Sequence, residues 1–91
     1  MKKFAFVSRH VPTHSQMEIA RNKGIELVHV GDRDAWNTDW VQFEKDGYYG
    51  IIVVHPWSAL RAYIDTCMQV GVFNNVKRET GEFEATELFL T

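Results

Sequence analysis

Ile51-Ile52-Val53-Val54 is an unbroken run of four β-branched residues. Branching at Cβ favours extended backbone, and successive residues of a strand point to opposite sides. A strand that is apolar on both sides must be covered on both, as a central strand of a sheet with helices on each face. Phe4-Ala5-Phe6-Val7 has the same character. A chain of 91 residues suffices for one such domain, spanning 1–91, and not for two. Its size favours an oligomer, because a chain this short buries only about 60–65% of its unfolded surface.

The segments between these runs predict the remaining elements. Thr13 and Gln16 stand three apart after Pro12, the spacing of a capping box, so a helix starts there. It runs through Met17, Ile19 and Ala20 and stops at Gly24, a natural residue just past a helix end. Ile25 to Val30 is the second strand, and Gly31-Asp32-Arg33-Asp34 is a turn. Trp36, Trp40 and Phe43 fall at i, i+4 and i+7, which predicts a second helix ended by Asp46-Gly47. Pro56 marks the turn after the central strand. Ala59, Leu60, Tyr63, Ile64, Cys67 and Met68 form one stripe of a third helix, and Val70 to Phe73 is a fourth strand. Between Phe73 and Phe83 there is too little chain for a crossover, so Phe83 to Leu90 must return antiparallel after the Thr80-Gly81 turn. The expected fold is a small three-layer α/β sandwich, mostly parallel, with a C-terminal antiparallel hairpin edge strand.

Ligands of open parallel sheets bind beyond the carboxyl ends of the strands. Ser8, Arg9, His10, Thr13 and His14 follow the first strand; His29, Gly31, Asp32 and Arg33 belong to the end of the second. His55, Pro56, Trp57 and Ser58 follow the third, and Asn74, Asn75, Lys77 and Arg78 the fourth. Three of the four histidines therefore sit at strand ends. The set leans toward phosphate. Arg9 and Arg78 suit bidentate contacts with phosphate oxygens, Lys77 supplies a point charge, and the helix start at Thr13 offers free amides. Trp57 offers a face for a base, and histidines near neutral pKa can shuttle protons.

Several classes drop out. Hydrophobic residues make up 45% and charged residues 24%, a globular composition. A net charge of −2 argues against a broad grip on duplex nucleic acid. No Gly-x-Gly-x-x-Gly and no Walker loop occurs, and only Asp32 and Asp34 supply acids at the strand ends, so neither a cofactor nor a magnesium site is expected. Three histidines would suit zinc in principle, yet no metal is expected. One cysteine excludes an internal disulfide framework and agrees with a reducing compartment. The run after Met1-Lys2-Lys3 ends at Ser8, short of a secretory core or a membrane span. The expected setting is the cytoplasm.

Plainer readings compete at each position. His14 reads as a solvated first-turn residue, His29 as a strand residue facing its neighbours, and Cys67 as inert packing. Trp36, Trp40 and Phe43 read as core or dimer interface, Trp57 equally as a cap over the sheet edge, and Lys77-Arg78 as a solvated turn. Ser8-Arg9-His10 is similar to the Arg-His start of histidine phosphatases. Val11 stands where their glycine belongs, however, and the chain is too short for their second histidine and acid.

Phe6-Val7-Ser8-Arg9-His10, with Pro12-Thr13-x-x-Gln16 opening the next helix, resembles the start of the small CRISPR-associated ring nucleases. These are minimal relatives of the CRISPR-associated Rossmann-fold (CARF) sensor domains. Gly24-Ile25 and the ending Val72-Phe73-x-x-x-Lys77-Arg78 before a last hairpin strand are similar too. Asp32 to Asp46 and His55-Pro56-Trp57 depart from the pattern. The resemblance implies a CARF-like, Rossmann-like domain that forms a homodimer around cyclic oligoadenylate, with cyclic tetra-adenylate matching its two-fold axis. It implies metal-independent attack of a ribose 2′-OH on the adjacent phosphate, switching off type III CRISPR signalling. On that basis Ser8, Arg9 and His10 contact the scissile phosphate, His10 or His55 acts as acid or base, and Arg78 with Lys77 neutralises charge. Thr13, His14, Gly31, Asp32, Trp57, Ser58 and Asn74 complete the expected ligand set. A non-catalytic sponge or sensor would use the same pocket. A plain interaction module would dock a partner on the helix bearing Trp36, Trp40 and Phe43.

Overall fold

The two apolar runs lie side by side. In the computed structural model, which describes residues 1–91, β1 (Lys2–Val7) pairs parallel with β3 (Gly50–Val53), aligning Phe4 with Gly50 and Val7 with Val53. The other elements are α1 (His14–Asn22), β2 (Ile25–His29), α2 (Val41–Lys45), α3 (Pro56–Asp65), β4 (Gln69–Lys77) and β5 (Phe83–Leu90). The five strands form one sheet in the order β2-β1-β3-β4-β5. All neighbours are parallel except β4 and β5. The α/β class, the mostly parallel sheet, the central place of the strand at 51–53 and the antiparallel last strand agree with expectation; Val54 lies past the strand end and is exposed. No helix is long and apolar enough to cross a membrane.

Alternation along β1 and β3 divides the core. Phe4, Phe6 and Ile52 meet Ala20 of α1 and Leu88 on one face. Ala5, Val7, Ile51 and Val53 meet Trp40, Phe43 and Ala62 on the other. The first connection carries α1 over one face, and the later ones carry α2 and α3 over the other, because right-handed crossovers that run in opposite directions along the sheet must use opposite faces. Gly50 is required where β1 and β4 flank β3. A Cβ there would lie 2.3 Å from Phe4 Cε2 and 2.8 Å from the Gln69 carbonyl oxygen.

The α1 start follows its sequence signal. Thr13 Oγ1 accepts from the Gln16 amide at 3.2 Å, and Gln16 Oε1 accepts from the Thr13 amide at 2.9 Å. Gly24 follows the helix with φ +75°, a left-handed conformation that side chains resist.

Four expectations need correction. The second helix does not hold Trp36. Asp34 Oδ1 accepts from the Trp36 amide at 2.8 Å and Asp34 Oδ2 from the Asn37 side chain at 3.1 Å, so turn chemistry wins over aromatic spacing. Trp40 and Phe43 are buried, so no three-aromatic docking face forms. The third helix begins at Pro56 itself and stops before Thr66, whose amide and hydroxyl both donate to the Ala62 carbonyl, at 3.0 and 2.7 Å. Cys67 therefore lies outside the helix and is exposed rather than inert packing. Ser58 and Ala62 meet the sheet, while Leu60, Tyr63 and Ile64 face outward. Lastly, β4 runs on to Lys77 in a long ladder with β5. Asn74 and Lys77 are consequently strand residues opposite Glu87 and Phe83 rather than groups beyond a strand end.

Candidate functional site

The strand order reverses between β1 and β3, the point at which β1 continues to β2 on one side and β3 to β4 on the other. A crevice opens at the carboxyl ends of strands at such a switch. Ser8-Arg9-His10 leaves β1 there, and Val54-His55 leaves β3. Because the following helices go to opposite faces, the crevice divides into two clefts.

The first cleft, about 940 Å³, lies on the α1 side. Ser8, His10, Thr13 and His14 line it, together with Asn75 and Arg78 from the hairpin. Ser8 is 7% exposed, and its Oγ accepts from the His10 amide at 3.2 Å, so the turn after β1 is held without the imidazole. The capping box engages the amides of Thr13 and Gln16. Those of His14 and Ser15 remain without helical partners, since an α-helix leaves its first amides unpaired. His10 and His14 are exposed.

Arg78 is not a free cation. Its Nε donates to Glu84 Oε2 at 2.5 Å across the hairpin. That hydrogen bond, reinforced by the opposite charge, holds the Glu84 carboxyl below its ordinary range and the guanidinium above its own. Glu18, Glu82 and Glu84 also line the cleft. An anion entering here must compete with Glu84 for Arg78. Glu84→Gln should therefore tighten binding of a phosphate-bearing ligand by up to about fivefold, since exposed pairs are worth roughly 0.2–1 kcal/mol. Isothermal titration at low salt measures it, and unchanged affinity would remove Arg78 from the site. Acidification through the lowered Glu84 pKa should act in the same direction, because protonation of Glu84 releases the guanidinium.

The second cleft, about 530 Å³, lies on the α3 side and is lined by Asp32, His55, Trp57 and Ser58 with Arg33 and Trp36. His55 precedes Pro56 in extended conformation and makes no side-chain capping bond. Ser58 is 3% exposed. Asp34, whose two carboxylate oxygens accept from Trp36 and Asn37, is held below its ordinary pKa, first by the Trp36 amide and then by the Asn37 side chain.

The expected residues are thus sorted rather than assembled. Ser8, His10, Thr13, His14 and Arg78 share the first cleft; Asp32, His55, Trp57 and Ser58 share the second. Arg9, Gly31, Asn74 and Lys77 line neither. His29 faces a neighbour, its Nε2 lying 2.8 Å from the Ser8 carbonyl oxygen. Trp36 and Glu84 were missed as lining residues. The Asp34-x-Trp36-Asn37 turn chemistry was the available signal for Trp36; nothing in the residue order marks Glu84 as the partner of Arg78. No group of three or more His, Cys, Asp or Glu side chains is placed to hold a metal ion. No family model matches the chain, and comparisons with curated proteins and with solved structures find no match.

Proposed function

We propose that this protein is a ring nuclease of Rossmann-like, CARF-like fold that binds and cleaves a cyclic oligoadenylate, with cyclic tetra-adenylate as first choice. The observation that carries the reading is the switch point between β1 and β3, where two exposed histidines, His10 and His55, leave adjacent strands. A homodimer would present two copies of this edge to a two-fold ring. In the cleavage step the ribose 2′-OH attacks phosphorus, the bond from phosphorus to the 5′-oxygen breaks, and a 2′,3′-cyclic phosphate forms. One histidine takes the 2′-OH proton while a protonated one delivers a proton to the departing 5′-oxygen. Ser8 donates its hydroxyl hydrogen to a phosphate oxygen, and Arg78, once released by Glu84, offsets charge on the phosphorane. Lys77, a strand residue outside both clefts, is given no role.

One observation favours a second reading, the sponge. The Arg78–Glu84 pair leaves the first cleft short of free positive charge, which suits holding a ligand better than stabilising a phosphorane. Incubation with cyclic tri-, tetra- and hexa-adenylate in EDTA, resolved by chromatography, separates the two. Conversion of one ring to a linear product supports the nuclease. Intact rings with a melting temperature raised by about 10 °C or more at 100-fold excess over Kd support the sponge. Intact rings with no shift overturn both.

A further inference from the structure

We propose that Trp36 and Trp57 together form an aromatic platform that receives a nucleobase, Trp57 supplying the stacking face and Trp36 backing it. The two side chains come from different connections, one after β2 and one after β3, and meet with ring centroids 6.1 Å apart and planes tilted by 37°. Both remain largely exposed, at 63% and 61%. Two touching tryptophans left in water are the kind of apolar surface that marks a binding site. The Arg61 guanidinium carbon lies 5.8 Å from the Trp36 ring centroid, extending the row to Arg61, Trp36 and Trp57.

The backbone that carries the two indoles is held before any ligand arrives. Asp34 holds the Trp36 amide and the Asn37 side chain, and the Thr38 hydroxyl donates to the Asp34 carbonyl oxygen. Trp57 stands in the first turn of α3, next to Pro56 with its restricted backbone. A main chain already held avoids the ordering cost of closing a loop on binding.

The surroundings favour a base over an aliphatic peptide. Only three of the nine residues lining this cleft are hydrophobic, and its volume of about 530 Å³ is that of a small-molecule site. Both Asp34 oxygens are occupied, but the Asp32 carboxylate in the same cleft accepts no hydrogen bond and can take one from an exocyclic amine such as that of adenine. The inference rests on the cyclic-oligoadenylate reading only for the larger ligand to which the base belongs.

Adenosine, which carries no phosphate, is the probe, with ribose as the control and indole N–H shifts of the full chain as the readout. Wild type should show saturable shifts of the Trp57 indole with adenosine and none with ribose. Trp57→Ala should weaken adenosine binding by about tenfold or more, Trp57→Phe by less, and Trp36→Ala by a few-fold. Both tryptophans are exposed, so the variants should melt close to wild type, and that comparison checks the fold. Absence of a saturable shift, an equal response to ribose, or full affinity in Trp57→Ala overturns the proposal. Adenosine binding without any oligoadenylate bound or cleaved leaves the platform standing and overturns the ring reading. Ring cleavage unchanged in Trp57→Ala, with no adenosine response, does the reverse.

Discussion

His10→Ala is expected to lower turnover of cyclic tetra-adenylate by about 10²–10⁴-fold, the usual worth of a positioned proton-transfer group. The fold should be indifferent to the change. His10 is exposed, and the turn it occupies is held by its main-chain amide on Ser8 Oγ, which alanine also provides. Melting temperature should therefore stay within a degree or two, and binding of the intact ring should survive. His55→Ala is the companion variant, because His55 leaves the neighbouring strand in the other cleft. A loss of turnover in both, each with ligand still bound, matches one acid and one base. Full activity in both would sink the nuclease mechanism, whatever binds.

Trp40→Ala should be strongly destabilising. Trp40 is 1% exposed, lies among Val7, Phe43 and Val53, and donates its indole N–H to the Ala35 carbonyl at 3.2 Å. Its ring centroid is 5.9 Å from that of Phe43. Truncating a buried tryptophan costs about 3–5 kcal/mol, against a total of roughly 5–14 kcal/mol for a domain of this length. The melting temperature should fall by about 15–30 °C, or the variant should fail to fold. Trp36→Ala, four residues away, should move it by no more than a few degrees, since Trp36 is 63% exposed. Thermal unfolding by circular dichroism compares the two. Equal effects would contradict the burial that separates them.

These two tryptophans also show where local pattern stops being informative. Trp36, Trp40 and Phe43 share a helical spacing, yet only Val41–Lys45 is helical. Side-chain acceptors on Asp34 close a turn around Trp36 and outweigh the aromatic stripe. The stripe of α3 misled for a different reason. The helix presents the small residues Ser58 and Ala62 to the sheet, which leaves the larger Leu60, Tyr63 and Ile64 on the outside. At the end of the chain, Phe83 and Ala85 share the α1 side with Leu88 and Leu90, although strict alternation would put the two pairs on opposite faces. An extra residue, Thr86, enters β5 between the partners of Asn74 and Asn75 and resets the pleat.

The residue order determined what depends on neighbours along the chain. Apolar runs marked strands, the Thr13–Gln16 pair marked a helix start, and polar residues marked the strand ends. The strand pairing belongs to the tertiary structure, and so does the face each connection crosses. By placing β1 beside β3 and sending their helices to opposite faces, it put His10 and His55 in separate clefts. It also joined Arg78 to Glu84 and brought Trp36 to Trp57. Local preferences act over a few residues, whereas these contacts arise from burying two core clusters on opposite sides of one sheet, a condition only the whole chain can satisfy.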